Sequence, residues 1–311
     1  MAWAAAAGGP RTAPAAAHTA ISCKVDTETR IGIATGVYYA LGNAYALQIK
    51  ANTGNTVQAT AAETGASVQN IQQLVAGQYQ VAFSLFDTAT GAVQGKGLFA
   101  GKQQPVRALA RIYDNFTHVV VRADAGINSV ADMKGKRVSS GSPKSGTEVI
   151  ARRLLQAAGL DPDKDITPQR LDLTKTSDGI KDGSIDAFFW SGGLPTPGVT
   201  DLVTTVGDKV KFIDISPLLP TMQQTNQAYQ AGAIPAATYH TSADVPTIVV
   251  PNVLLVKDDL DANLACVLTK TLFDKRDELV KANAAAKGIR LDTARRTKPV
   301  PLRPGAARAL D

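Results

Sequence analysis

The segment Gly141–Ser142–Pro143–Lys144–Ser145–Gly146–Thr147 comes close to a phosphate-binding loop. That loop requires a lysine directly after its second glycine, so that the ammonium reaches the terminal phosphates. Here Thr147 follows Gly146 directly, and Lys144 stands on the wrong side of it. What remains is a helix start flanked by the hydroxyls of Ser145 and Thr147. The free N–H groups of a helix start attract an anion without help from a lysine. The segment therefore reads as a carboxylate-sized anion site rather than a nucleotide site.

Three other loops resemble it in composition: Thr35 to Gly42, Glu63 to Ser67 and Trp190 to Pro197. Small hydroxyl residues at such places serve as helix caps, each worth about 1 kcal/mol. Four such loops in one chain exceed what capping alone explains, and in parallel α/β proteins ligands bind outside the carboxyl ends of the strands. Gly36, Thr64, Ser67, Ser145, Gly146, Thr147, Gly192 and Gly193 are the candidate ligand contacts from these loops. Tyr38 and Tyr39 follow Gly36 at a helix start, where neighbours point about 100° apart, so one of the two faces a cleft and the other packs. Trp190 ends an apolar strand and is open to two readings, core packing or stacking on a ligand.

These loops need elements to hold them. From Arg30 onward the sequence alternates β-branched runs with helical periodicity. Residues 30–35, 56–62, 79–85, 105–113, 117–123 and 245–256 read as strands. "YYALGNAYALQIKANTG" and "SVQNIQQLVAGQ" read as helices, as does the long segment 263–283. The clearest helix is "GTEVIARRLLQAAGL", with Val149, Leu154, Leu155 and Ala158 on one face and Gly159 as its stop. Such alternation predicts α/β units with largely parallel sheets. No single linker divides the chain, so two lobes would exchange the chain more than once. His118–Ala123 and Thr247–Val256 are the natural crossover strands.

The totals exclude several functions. At 311 residues, with 44% hydrophobic and 19% charged side chains, the chain suits a globular protein of two lobes. No run approaches the roughly 18 apolar residues of a membrane span. Lys and Arg number 33 against 27 Asp and Glu, a net charge of +6 whose densest stretch is "RRTKPVPLRPGAAR" near the end. Few aromatics accompany these charges, which argues against a nucleic-acid partner. The cysteines, Cys23 and Cys266, are far apart and are expected to stay unpaired. With His18, His118 and His240 they form no metal-ligand spacing, so no metal or cofactor is expected. Residues 1–29 are rich in Ala, Gly and Pro and read as a leader, a weak match to an export signal with small residues at Ala15–Ala17. No nucleophile elbow is present, and Asp87, Asp114, Asp186 and Asp201 pair with nothing in sequence, so an enzyme is disfavoured.

The order of motifs resembles the TAXI family, extracytoplasmic solute receptors of tripartite ATP-independent periplasmic (TRAP) transporters. The resemblance rests on "GIATGVYYALGNAYA", "ETGASVQNIQQLVAGQYQVAF", "RVSSGSPKSGTEVIARRLLQAAGL", "IKDGSIDAFFWSGGLPTPGVTDL" and "DVPTIVVPNVLLV". It implies a bilobal, type II-like periplasmic-binding-protein fold, with lobe 1 at 30–117 plus 247–311 and lobe 2 at 118–246. It further implies a monomeric receptor, outside the cytoplasm, that holds a small, often glutamate-like carboxylate between its lobes and delivers it to a TRAP permease. Two departures bear on the ligand. Ala66 replaces a frequent glycine, and Leu85–Phe86–Asp87 replaces a polar "QSD", so Phe86 and Asp87 join the candidate contacts and glutamate itself is doubtful. Arg111 is a strand charge that can pair with Asp114 or Asp87, or grip a ligand carboxylate with two bonds. A sensor presenting its ligand to a signalling partner, or an enzyme on the same fold, are the alternatives.

Overall fold

The computed structural model describes residues 20–311; the first nineteen residues of the expected leader, with Ala15–Ala17 and His18, lie outside them. Ten strands form one curled sheet: β1 (Thr29–Ala34), β2 (Val57–Ala62), β3 (Val81–Leu85), β4 (Val106–Arg122), β5 (Arg137–Ser139), β6 (Thr167–Gln169), β7 (Ala187–Gly192), β8 (Val210–Phe212), β9 (Gln230–Ile234) and β10 (Val245–Lys257). Their order is β2-β1-β3-β10-β4-β7-β5-β6, with β8 added to β4 and β9 to β10. The trio β2-β1-β3 is parallel, as is the trio β7-β5-β6. Between them run β4 and β10, antiparallel to each other and to their neighbours.

These two strands belong to both halves of the molecule. β4 extends over 17 residues. Its first part pairs with β10, and its last part, from Phe116 to Val121, pairs with β7. β10 pairs with β3 through Asn252–Val256 and with β9 through Val245–Val249. The expected crossover strands are therefore present and longer than the sequence suggested: the segments 105–113 and 117–123, read separately, form a single strand. Continuity across the Asp114–Asn115 interruption comes from pairing on both sides, which overrides local β-propensity.

Helices cover the sheet: α1 (Tyr39–Asn52), α2 (Ser67–Val75), α3 (Phe86–Gln94), α4 (Gly146–Ala157), α5 (Leu173–Asp182), α6 (Pro197–Val206), α7 (Leu219–Thr225), α8 (Ala236–Tyr239) and α9 (Ala262–Asp274). The helix expected over 263–283 breaks at Lys275, and a further helix runs from Arg276 to Ala282. α4 buries Ile150, Ala151, Leu154 and Leu155, so its inner face is turned slightly from the expected one, and Val149 lies at its edge. Each large side chain of that face contributes about 1.5–3 kcal/mol by burial. One core cluster joins α2, α3 and β3 to α4 and to residues near Met222 and Tyr229, packing the two halves together.

The expectation of unpaired cysteines is overturned. Cys23 and Cys266 form a disulfide across 243 residues, with Cα atoms 5.0 Å apart. The segment before β1 folds back over α9, where the N–H groups of Ser22 and Cys23 donate to Asn263 Oδ1 at 2.7 and 3.2 Å. Distance along the chain did not forbid this, because α9 packs on the lobe that contains β1. Closing so long a loop stabilises a fold by about 5 kcal/mol in the chain-entropy account. The Cys23→Ser variant should unfold at markedly lower urea concentration than the oxidised parent and match the parent after reduction. An unchanged midpoint would show the bond to be energetically idle.

Candidate functional site

The loop 141–147 lies where the two halves meet. Gly141 has φ +91°, and a side chain there would collide with Thr147, its Cβ falling 2.9 Å from that of Thr147. Ser145 caps α4 by accepting from Glu148 N–H at 3.0 Å. Glu148 reaches back to accept from Lys144 N–H at 2.7 Å. Lys144, at φ +62°, turns its carbonyl toward the other half, where it accepts from the N–H groups of Val68 and Gln69 at 3.2 and 3.3 Å. The loop thus caps two helix starts, its own and that of α2. The N–H groups of Gly146 and Thr147 have no acceptor among the described residues.

Thr147 is buried, and its Oγ1 accepts from Ser191 N–H at 3.3 Å. Ser191, 2% exposed, keeps its own hydroxyl without a hydrogen-bond partner. Behind it stands a polar group on the crossover strands. Asn115 Nδ2 donates to Ser191 O at 3.3 Å, and Asn252 Nδ2 donates to Asn115 Oδ1 at 2.8 Å and Tyr113 O at 3.0 Å. Asn252 Oδ1 and Thr117 Oγ1 are buried and unpaired. Buried amides of this kind require partners, so they fix the crossing of β4, β10 and β7. Their trace in sequence is faint: Asn252 interrupts the apolar run "VVPNVLLV".

From the opposite half, Ser67 and Leu85 lie against this helix start. Gly146 lies so close that a Cβ there would fall 2.8 Å from Ser67 Oγ and 2.9 Å from Leu85 Cγ. Ser67 Oγ accepts from Leu85 N–H at 3.0 Å. Tyr38 is buried beside Ser67 and stacks on Phe83 with ring centres 5.3 Å apart. Burial first, with the charge of Asp87 adding to it, holds the Tyr38 phenol well above its usual range, so it remains a donor. Tyr39 points to solvent. Gly36, at φ +65°, touches Ala66, whose own φ is +72°. Thr64 bonds to Asn70, a fully buried amide missed in the sequence, which also donates to Phe83 O at 2.8 Å and to the end of β1.

The remaining candidates make other contacts. Trp190 packs against the clusters of Val199, Ile234 and Tyr239 and of Val120, Phe188 and Leu202, and donates to Thr196 Oγ1 at 3.1 Å. Gly192 and Gly193 allow close approach, Gly193 against Ala285 of the other half. Arg111 pairs with Asp114 at 2.9 Å and, with Phe86, lines a separate groove. Asp87 is fully buried in an ion pair: its Oδ2 accepts from Arg153 Nη1 of α4 at 2.8 Å and from Tyr229 Oη at 2.5 Å, and its Oδ1 from Thr88 N–H. Burial and the adjacent carboxylate hold Tyr229 well above the usual phenol range, which keeps it the donor. Arg153 and Tyr229 gave no sign in the sequence.

Several acidic and histidine side chains singled out in the sequence are engaged in structure. Asp186 pairs with Arg137 at 2.5 Å and Asp201 with Lys181 at 3.1 Å. His118 is buried, which pushes its imidazole down to about 4. Phe116 O can only accept, so His118 Nδ1 carries the proton, and Nε2 accepts from Tyr239 Oη at 2.9 Å. Both ring nitrogens are engaged in structure. Among the described residues no three metal-ligating side chains come together.

A two-part sheet joined by shared strands is an architecture found in solved proteins. The chain belongs to the NMT1-like family, whose model matches residues 31–311. Its fold is similar to that of the binding-protein component of an ABC phosphonate transporter from Pseudomonas aeruginosa, with a TM-score of 0.56 and 13% identity over 85% of this chain and 80% of that one. The periplasmic aliphatic sulphonate binding protein SsuA from Escherichia coli gives a TM-score of 0.50 and 14% identity over 92% and 84%. A putative L-cystine ABC transporter from Listeria monocytogenes gives 0.50 and 16% over 86% and 98%. At these identities the likeness establishes the fold: the NMT1-like chain has the bilobal, type II-like architecture of periplasmic binding proteins.

In this family member the Asp87–Arg153 pair crosses between the halves. Losing one partner of a buried ion pair costs about 3–5 kcal/mol, whereas replacing both with apolar groups is close to neutral. Arg153→Met should therefore lower stability by about that amount, and Asp87→Leu/Arg153→Met should restore most of it. Urea unfolding of the two variants checks this, and equal losses in both would contradict an isolated charge as the cause.

Proposed function

We propose that this chain is an extracytoplasmic solute receptor that closes around a small carboxylate and hands it to a membrane permease. One observation carries the reading. The N–H groups of Gly146 and Thr147 lack acceptors among the described residues, Thr147 Oγ1 accepts from the N–H of Ser191, whose hydroxyl is unpartnered, and Gly146 lies against Ser67, the neighbour of Tyr38. A helix start of this kind stabilises negative charge at fixed, desolvated dipoles. The lobes are taken as 30–117 with 247–311, and 118–246, so Ser67 and Tyr38 belong to one and Ser145, Gly146, Thr147 and Ser191 to the other. A ligand reaches the helix start only when the lobes part, since Leu85 and Ser67 lie against Gly146. Binding then favours the closed form, which a permease distinguishes from the open one.

Several observations support the remaining parts. The disulfide between Cys23 and Cys266 suits an oxidising compartment outside the cytoplasm. No helix among the described residues is long and apolar enough to cross a membrane, so the translocating pore would be a separate partner. The TAXI-like motif order favours a TRAP permease, although the solved neighbours named above include proteins described with ABC transporters. The pairing of Asp87, Asp114, Asp186 and Asp201 with cations argues for binding over catalysis. Leu85, rather than Phe86, is the apolar residue at the helix start. A branched or aromatic 2-oxo acid therefore suits the site better than glutamate.

Calorimetric titration of protein freed of ligand by unfolding and refolding tests this. Branched and aromatic 2-oxo acids, 2-oxoglutarate, C4-dicarboxylates and glutamate form the panel. One acid should bind with 1:1 stoichiometry. The Thr147→Ala/Ser191→Ala variant should bind it at least about ten-fold more weakly, since a hydrogen bond to a charged group is worth about 1.5–3 kcal/mol. Unaltered affinity in the variant would move the anion site elsewhere, and silence across the panel would reject the ligand class.

A further inference from the structure

A second concavity, of about 710 Å³, lies between the start of α3, β4, the segment Gln223–Gln230 and the turn at Arg295–Pro299. Its size is that of a small-molecule site. Lys96, Arg111, Arg295, Arg296 and Lys298 line it, and no carboxylate does. Arg295 is turned away, donating to Ala307 O at 2.9 Å and pairing with Asp311. Lys96, Arg296 and Lys298 form no salt bridge among the described residues. The basic stretch near the end of the sequence thus has a structural address.

Two further features set this groove apart from an ordinary basic surface. Arg111 is mostly buried, its side chain 11% exposed, yet among the described residues only one of its five N–H donors is used, toward Asp114. Thr90 in the same wall has a buried hydroxyl with no partner. The unbonded nitrogens of Arg111 remain solvent-accessible, and Phe86 and Pro251 line the same groove. The side-chain amides of Gln94, Gln224 and Gln230 also line it, whereas those of Gln223 and Asn226 are already engaged with Tyr229 O and Asp87 O.

We propose that this groove is a second ligand site, for a small molecule that carries two or more anionic groups. Arg111 takes one anionic group at the floor, and Arg296 with Lys298 takes another at the rim. Because the walls come from α3 and β4 on one side and from Gln223–Gln230 on the other, a ligand here also bridges the lobes. This site does not depend on the identity of the carboxylate bound at α4.

The test uses citrate and inorganic pyrophosphate as probes, titrated into the refolded protein at fixed ionic strength, with acetate as the monoanion control. At least one probe should bind saturably at 1:1, and acetate should not compete. Arg296→Gln/Lys298→Gln, an exposed pair whose loss leaves the core intact, should weaken that binding ten-fold or more. Thr147→Ala/Ser191→Ala should leave it unchanged. Binding of pyrophosphate alone marks an organic phosphate as the natural class, and binding of citrate alone marks a polycarboxylate; either supports the site. The proposal is overturned if neither probe saturates, if the Arg296/Lys298 variant binds as the parent does, or if only the Thr147/Ser191 variant loses binding.

Discussion

A carboxylate with no solvent exposure must be compensated from within the protein, and Asp87 is compensated across the junction between the two halves. Arg153 on α4 and Tyr229 beyond α7 supply the charge and the hydrogen bond. Asn226 adds a bond to the Asp87 carbonyl at 3.0 Å. Satisfying this group therefore sets how closely α3 and α4 approach. Once α4 is held there, its first residue must be glycine, because Ser67 and Leu85 occupy the space a side chain would need. The same approach brings Lys144 O onto the start of α2. Closure and construction of the candidate anion site follow from one buried charge.

The parts of this site that were legible in the sequence are those written in local periodicity. The loop before α4, the helix itself and the two crossover strands follow from apolar spacing and from Gly, Ser and Thr at a strand-to-helix turn. The choice between Tyr38 and Tyr39 follows from helix geometry once the sheet is in place. α3 escaped notice because "FDTATGAVQ" has few strong helix formers, and it is held by packing on β10, α2 and β3 and by the Asp87–Arg153 pair instead. Asp87 has the residue type of a ligand contact, but only the fold reveals Arg153 opposite it. Trp190 packs against the core around Val199 and Tyr239, a setting that periodicity alone does not reveal. The disulfide was missed for a similar reason: helical character at Cys266 says nothing about what packs on that helix.

Electrostatics divides the basic surplus into two classes. Many cations are consumed in structure, as Arg137 is by Asp186 and Arg152 by Asp163. Those of the stretch after Ala294 are sorted differently. Arg295 is tied to Asp311 and Arg303 donates to Leu260 O, whereas Arg296 and Lys298 face the groove beside Arg111. Three cations that form no salt bridge among the described residues, Lys96, Arg296 and Lys298, line this one groove.

The most direct test of the account is small-angle X-ray scattering on the parent and on Arg153→Met, each with and without the acid identified by titration. If the buried Asp87 pair holds the lobes together, the ligand-free variant has a larger radius of gyration than the ligand-free parent and contracts to the parent's value when ligand binds. Superimposable scattering from all four samples, with the variant shown to be folded, would contradict a closure held by that pair.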